Sequence, residues 1–407
     1  MINRVAFLSM HTSPLERPGE GDAGGMNVYI DEQASSLCRR GIEVTVFTRR
    51  THPDQAEVIT TPSGYEVVQV RAGPAAALPI ADQVEWVGDF ADRVTDAVVD
   101  PATGEARFDL IHSHYWLSGW TGLLVKEATG LPLANSFHTL GRIKDATRRP
   151  GQPGEPLNRI AAEREVIAHA DCVIASTEYE SWELIDLYGA DPGRLCINPP
   201  GIDLNLFRPG DRQAARRSLG LDDVPTVLFV GRIQALKGLD VAVEAFQTVR
   251  DYLPDARMLV VGGPSGPAGV EEEVHIRRLA QNMGLGEGLV WCGVQPHRRL
   301  PTYYQAADVL VVPSRSESFG LVAAEAQGVG LPVVAANVGG LRYVIKEGIS
   351  GFLVDGWDPP DYAKALLKVL EGGADRDLLV DGALESGRRF GWETATGRLM
   401  ELYRGIV

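Results

Sequence analysis

Short β-branched runs alternate with helix-length stretches along this whole chain, and no other feature constrains its fold as strongly. The runs occupy residues 4–9, 43–48, 66–71, 108–112 and 172–176, then 226–231, 258–262, 289–294, 308–313 and 333–336. Most gaps between them have room for a helix. Such alternation signals parallel strands buried on both faces, with helices covering each side of the sheet. Ten or more strands are too many for one tidy sheet, and 407 residues exceed one ordinary core. The pattern therefore predicts an α/β protein with two doubly wound, Rossmann-like parallel-sheet domains.

The join is expected at residues 198–203, Asn-Pro-Pro-Gly-Ile-Asp, continuing to Gly210, where Pro and Gly cluster and the periodicity lapses. That division gives a first domain of residues 1–198 and a second of 199–389. The last segment, 390–407, carries Trp392, Leu399, Met400, Leu402 and Tyr403 at helical spacing. Residues 145–158, rich in Arg, Pro and Gly, read as a mobile surface loop.

Bulk properties narrow the function. A net charge of −15 argues against a general nucleic-acid surface and weakly against anionic lipid. No apolar run approaches the 18 or so residues of a bilayer span. No leader-like pattern precedes the strand at Val5. Cys38, Cys172, Cys196 and Cys292 are widely separated, three of them in strand-like runs, which reads as buried free thiols in a reducing cytoplasm.

The chemistry concentrates at strand ends. After the strand at 308–313 comes Ser314-Arg315-Ser316-Glu317-Ser318-Phe319-Gly320-Leu321, then a helical pattern containing Glu325. Free N–H groups at such a helix start suit a phosphate. Two acids bracketing an anion site suit a ligand with hydroxyl pairs at both ends of a diphosphate, as in a nucleotide-sugar, because each carboxylate accepts bonds from vicinal hydroxyls. The strand at 226–231 runs into Gly231-Arg232, with Lys237-Gly238 following. Open α/β sheets bind ligands at that edge, and fixed cations there stabilise a departing diphosphate.

In the first half, a Pro-containing loop separates the first strand from Gly19-x-Gly21-x-x-Gly24. A dinucleotide fingerprint must follow its strand directly. The acidic ribose partner is also missing, since Thr48-Arg49-Arg50 stands at the next strand's end. The better reading is a glycine loop whose Gly24 and Gly25 offer N–H groups to a ligand's distal phosphate. His112, His114, Tyr115, His138 and Thr139 gather at two further strand ends, and Arg159 begins a helix. The only Asp-x-Asp, Asp375 and Asp377, lies far from any strand end and reads as surface rather than a metal site. No metal and no cofactor are expected.

These motifs together resemble the family-4 retaining glycosyltransferases of the GT-B fold, whose signatures include Glu-x7-Glu and the Gly-Arg-x4-Lys-Gly seen here at 231–238. Residues 10–29 and 112–119 are similar to the mycothiol-pathway branch, which joins N-acetylglucosamine from UDP to an inositol phosphate. The resemblance covers nearly the whole chain. It implies two domains facing across a cleft, with the final helix crossing back onto the first. It assigns Arg232, Lys237, Gln295, Glu317, Phe319, Gly320, Leu321 and Glu325, with Gly24 and Gly25, to a UDP-sugar donor. The base would be held at Val294-Gln295, the sugar oriented by Glu317 and the ribose by Glu325. Catalysis would fall to His138, Arg232, Lys237 and Glu317. Asn27, Tyr115, Thr139 and Arg159 would contact the acceptor.

One departure concerns the acceptor. The family places a phosphate-binding Lys shortly after a Gly-Pro pair; here Gly73-Pro74 leads to Ile80, with no cation between. Lys144 is a replacement candidate, within a stretch, 139–144, similar to sucrose-phosphate synthases. The expectation is transfer of a hexosyl group, glucose or N-acetylglucosamine, from UDP to a phosphorylated polyol or sugar. Sucrose or sucrose-phosphate synthesis, UDP-sugar 2-epimerisation and non-catalytic sensing are the alternatives, and a homodimer is left open.

Overall fold

The computed structural model describes residues 2–16, 23–148, 151 and 153–407. Gly19 and Gly21 of the glycine loop lie outside the described residues. Fourteen strands form among those described: β1 (Arg4–Leu8), β2 (Glu43–Arg49), β3 (Val58–Thr60), β4 (Glu66–Val70), β5 (Leu110–His114), β6 (Leu133–Ser136), β7 (Cys172–Ala175) and β8 (Leu195–Ile197), then β9 (Thr226–Val230), β10 (Arg257–Val261), β11 (Leu289–Gly293), β12 (Val309–Val312), β13 (Val333–Ala336) and β14 (Gly351–Val354). They make two sheets, β3-β4-β2-β1-β5-β6-β7-β8 and β11-β10-β9-β12-β13-β14. Every pairing is parallel except β3 with β4.

The order places a switch point in each sheet. β1 lies between β2 and β5, and β9 lies between β10 and β12. Connections diverge to opposite sides there, leaving a crevice at the strands' carboxyl ends. The central strands read Val-Ala-Phe-Leu, Val-Leu-Phe and Val-Leu-Val-Val, buried on both faces. Each sheet is sandwiched between two apolar cores.

The helix Trp392–Ile406 packs on the first sheet's outer face. Trp392, Leu399 and Tyr403 join the core under helix Gly25–Arg39, each burial contributing roughly 1.5–3 kcal/mol. Polar contacts fix its register: Gln33 Nε2 donates to Thr396 Oγ1 at 3.1 Å, and the Thr396 hydroxyl donates to Ser36 Oγ at 2.9 Å. Two chain segments therefore link the lobes, and they run side by side. Ile202 N donates to Phe390 O at 2.5 Å. Gly201 lies so close to Trp392 that a Cβ there would sit 2.6 Å from its Cα.

Two expectations are corrected. Cys172 and Cys196 are joined by a disulfide between neighbouring strands β7 and β8, their Cα atoms 6.1 Å apart. Parallel pairing brings them together across 24 residues of sequence; only Cys38 and Cys292 are free. The predicted loop at 145–158 is shorter, because helix Gly141–Thr147 extends into it and helix Leu157–His169 begins before its end. Its residues 149, 150 and 152 lie outside the described set. Among the described residues no helix is long and apolar enough to cross a membrane.

Candidate active site

Both switch points open onto one cleft. Gly24, Gly25, His138 and Thr139 line it from the first lobe; Arg232, Lys237, Gln295, Glu317, Phe319, Gly320, Leu321 and Glu325 line it from the second. Residues 300 positions apart thus meet because each follows the carboxyl end of a strand.

The lobes touch across the cleft at small residues. A Cβ on Gly24 would fall 3.1 Å from Arg232 Nε, and one on Gly25 would fall 3.3 Å from Leu321 Cδ1. The Ser318 hydroxyl donates to the His138 carbonyl at 2.6 Å. His138 adopts φ +61, a left-handed conformation rare for a side-chain-bearing residue. That backbone turn accompanies a carbonyl bonded to the opposite lobe.

On the second lobe, Lys237 Nζ pairs with Glu317 Oε2 at 2.6 Å, and the Ser314 hydroxyl lies 3.4 Å from the same oxygen. Arg232 Nη1 donates to Ser265 Oγ at 3.3 Å. Gly320, at φ +100, caps helix Leu321–Gly328, so its backbone turns sharply from strand end to helix start. Phe319 is only 4% exposed, its ring edge-on to Phe390 at 5.4 Å, so the ring mainly anchors the turn. Glu325 accepts from Tyr304 Oη at 2.9 Å and contacts His297 Nε2 at 2.7 Å. Burial lowers the His297 pKa, but the charge of Glu325 and its hydrogen bond outweigh it, and the net direction is up. A carboxylate offers about four acceptor positions, so Glu325 retains capacity for a ligand hydroxyl. Gln295 Nε2 donates to the Cys292 carbonyl at 2.7 Å.

The first lobe's floor is a chain of neutral histidines. His138 Nε2 meets His114 Nδ1 at 3.1 Å; His112 reaches the Ser136 hydroxyl at 2.9 Å and the Tyr403 hydroxyl at 2.6 Å. Burial holds His138 and His112 down at about 3 and His114 well below its ordinary value. His138 therefore faces the cleft as an uncharged hydrogen-bonding group.

The residues expected at the acceptor form a separate cluster behind Thr139. Arg159 Nε donates to Glu163 at 2.7 Å, Nη1 to Glu155 at 2.8 Å and the Tyr115 hydroxyl at 3.2 Å, and Nη2 to the Thr139 carbonyl and hydroxyl at 3.0 and 3.2 Å. Lys144 Nζ pairs with Glu155 at 2.5 Å. Asn27 is not among the residues lining the cleft. Its amide oxygen accepts from Gly24 N at 2.8 Å, and its nitrogen donates to Thr12 Oγ1 and Ser13 O, each at 2.7 Å. Through these bonds Asn27 braces the glycine turn. Ile80 packs on the first lobe's core, as an apolar residue at that position must.

His11, Glu155, His297 and Ser318 were not among the predicted site residues. His11 follows β1, lies tilted against the Tyr115 ring at 4.5 Å and has a buried Nδ1 with no partner among the described residues. Burial, then the charges of His138, Arg232 and Arg159, lowers it to about 3. Its position directly after the first strand was the available signal. Asp375 and Asp377 are exposed in the first turn of helix Ala374–Gly387. Among the described residues, no group of three or more His, Cys, Asp or Glu side chains could hold a metal ion.

Comparison with known proteins agrees with this geometry. Residues 211–384 match the family described as "Glycosyl transferases group 1", and residues 24–201 match "Glycosyl transferase 4-like domain". D-inositol 3-phosphate glycosyltransferase 2 of Catenulispora acidiphila is 46% identical over 98% of this chain and 94% of its own length. The D-inositol 3-phosphate glycosyltransferase of Thermomonospora curvata is 44% identical over 99% and 96%. The solved sucrose-phosphate synthase from Thermosynechococcus elongatus superposes with a TM-score of 0.90 at 31% identity, covering 99% of this chain and 98% of that one. Anabaena HepE, solved with UDP and glucose, shares the fold at a TM-score of 0.78 and 18% identity, over 99% of both chains. The chain belongs to the family-4 glycosyltransferases of the GT-B fold.

Proposed function

We propose that this protein transfers a hexosyl group, glucose or N-acetylglucosamine, from UDP to a phosphorylated polyol or sugar such as inositol phosphate, with retention of anomeric configuration. The observation that carries the reading is the convergence of Arg232, Lys237 and Glu317 on Gly24, Gly25 and His138 across one cleft. Arg232 and Lys237 bind the diphosphate and stabilise the charge that develops as the glycosidic bond breaks. The turn at Gly24 and Gly25 lets the opposite backbone approach the same phosphates. Sugar hydroxyls compete for Glu317, freeing Lys237 toward the leaving group. Glu325 holds the ribose, and neutral His138 hydrogen-bonds the sugar. The leaving phosphate takes the acceptor proton on the same face, with no metal or cofactor required.

Two further observations support the donor and acceptor classes. The fold-related HepE was solved with UDP and glucose, and the curated relatives are named for D-inositol 3-phosphate. The test is UDP release with UDP-glucose and UDP-N-acetylglucosamine against a panel of phosphorylated and free polyols, with the anomer of the product assigned by NMR. Inversion overturns the reaction class; donor conversion without acceptor identifies a 2-epimerase. A second reading, transfer to a fructose phosphate, is favoured by the close superposition on sucrose-phosphate synthase. The same panel with fructose 6-phosphate separates the two.

A further inference from the structure

We propose that Glu155 is an internal competitor for the acceptor's phosphate and sets how strongly this enzyme prefers phosphorylated over uncharged acceptors. The inference rests on the reading of Thr139, Lys144 and Arg159 as the acceptor's anion site. Glu155 uses one carboxylate oxygen on Lys144 Nζ at 2.5 Å and the other on Arg159 Nη1 at 2.8 Å. That two-oxygen bridge between cations is the arrangement a phosphate makes.

The local charge count leaves no surplus. Among the described residues that make these direct contacts, two cations, Lys144 and Arg159, pair with two anions, Glu155 and Glu163, and Ile80 stands where a third cation was expected. All five N–H donors of Arg159 are engaged. A phosphate therefore gains an Arg159 N–H only by displacing a present partner, and the Lys144 ammonium sheds its counter-charge only if Glu155 leaves. Glu163 cannot leave cheaply: its side chain is 0% exposed, and it also accepts from Gly141 N at 3.0 and 3.1 Å and from the Tyr188 hydroxyl. Glu155 is 19% exposed, and among the described residues its carboxylate pairs with those two cations. Its departure uncovers one Arg159 donor and the Lys144 ammonium together, adjoining Thr139 at the cleft wall.

Initial rates with UDP-N-acetylglucosamine and UDP-glucose, using inositol phosphate and free inositol as acceptors, test this. Glu155→Gln keeps the shape and removes the charge. It should lower KM for inositol phosphate about tenfold, the size of one charge-assisted interaction, while KM for the donor and for free inositol stays within about twofold. Lys144→Met should raise KM for the phosphorylated acceptor alone. If E155Q loses its fold by thermal melting, Glu155→Ala gives the same ratio. An unchanged ratio of the two acceptors, or an equal loss of rate with both, overturns the inference and leaves Glu155 a brace for Arg159. No transfer to any phosphorylated polyol, by wild type or E155Q, overturns the acceptor reading itself.

Discussion

Lys237 and Glu317 satisfy each other in the structure, at 2.6 Å and with both side chains mostly shielded. Such a pair stores a ready cation and a ready acceptor in one place; on the proposed function a nucleotide-sugar separates their duties. Arg232 lies on the same edge, against Gly24. Removing both cations in Arg232→Ala/Lys237→Ala should lower kcat/KM by about 10³ or more, read as UDP release, while thermal stability changes little. Near-normal transfer would sink the role given to both. These residues were legible in the sequence because motif spacing and a strand end coincide. Asn27 and Arg159 were assigned to the acceptor by resemblance alone, and their partners within the protein were not legible. Their side chains prove to be engaged by partners as distant as Thr12 and Tyr115, and sequence order does not reveal such pairings. Glu155 was missed because a lone acid in a Pro- and Gly-rich stretch carries no pattern.

At the scale of elements, β-branched runs marked the central strands to within a residue or two. β5 is offset at both ends: it starts at Leu110 and runs to His114, because polar His112, Ser113 and His114 are buried at the sheet's end. The three-residue β3 and β8 and the glycine-led β14 gave too short a signal. The ends of β5 and β6 hold the histidine chain, and its protonation is linked to folding. The pKa of His112 is lowered to about 3, by burial first and then by the charge of His138. Its folded value is below the ordinary 6.5, so the unfolded chain takes up the proton first. Stability is full above 6.5 and is lost as pH falls toward 3, at about 1.4 kcal/mol per pH unit for this group. His112→Asn should therefore be less stable at pH 7.5 yet show a shallower fall between pH 6 and 4.5, measured by urea unfolding. An equal slope would remove His112 from the linkage. A second element-level test lies where the lobes join. Gly201→Val drives a side chain into the backbone of Trp392 and should cost about 2–4 kcal/mol, read by chemical denaturation of the first lobe.

For the whole molecule, what matters is that two sheets present their switch points to each other. Alternating strands and helices foretold two sheets, yet nothing in that pattern says which edges face. The answer lies in contacts between residues far apart in sequence. Ser318 reaches the His138 carbonyl, Gly25 lies against Leu321, and the Arg342 guanidinium sits over the Tyr179 ring at 5.6 Å. Only small groups at the glycine turn permit that approach. Gly25 begins a helix with ordinary space on its own side, so a larger side chain there would meet only the opposite lobe. Gly25→Val should therefore fold normally but hold the cleft ajar. A misplacement of about 1 Å between donor and acceptor costs roughly 10² in rate. The expected result is a fall of that size in kcat/KM, an unchanged melting temperature and a larger radius of gyration by X-ray scattering. Full activity with unaltered scattering would mean that the lobes need not meet at this turn for transfer to proceed.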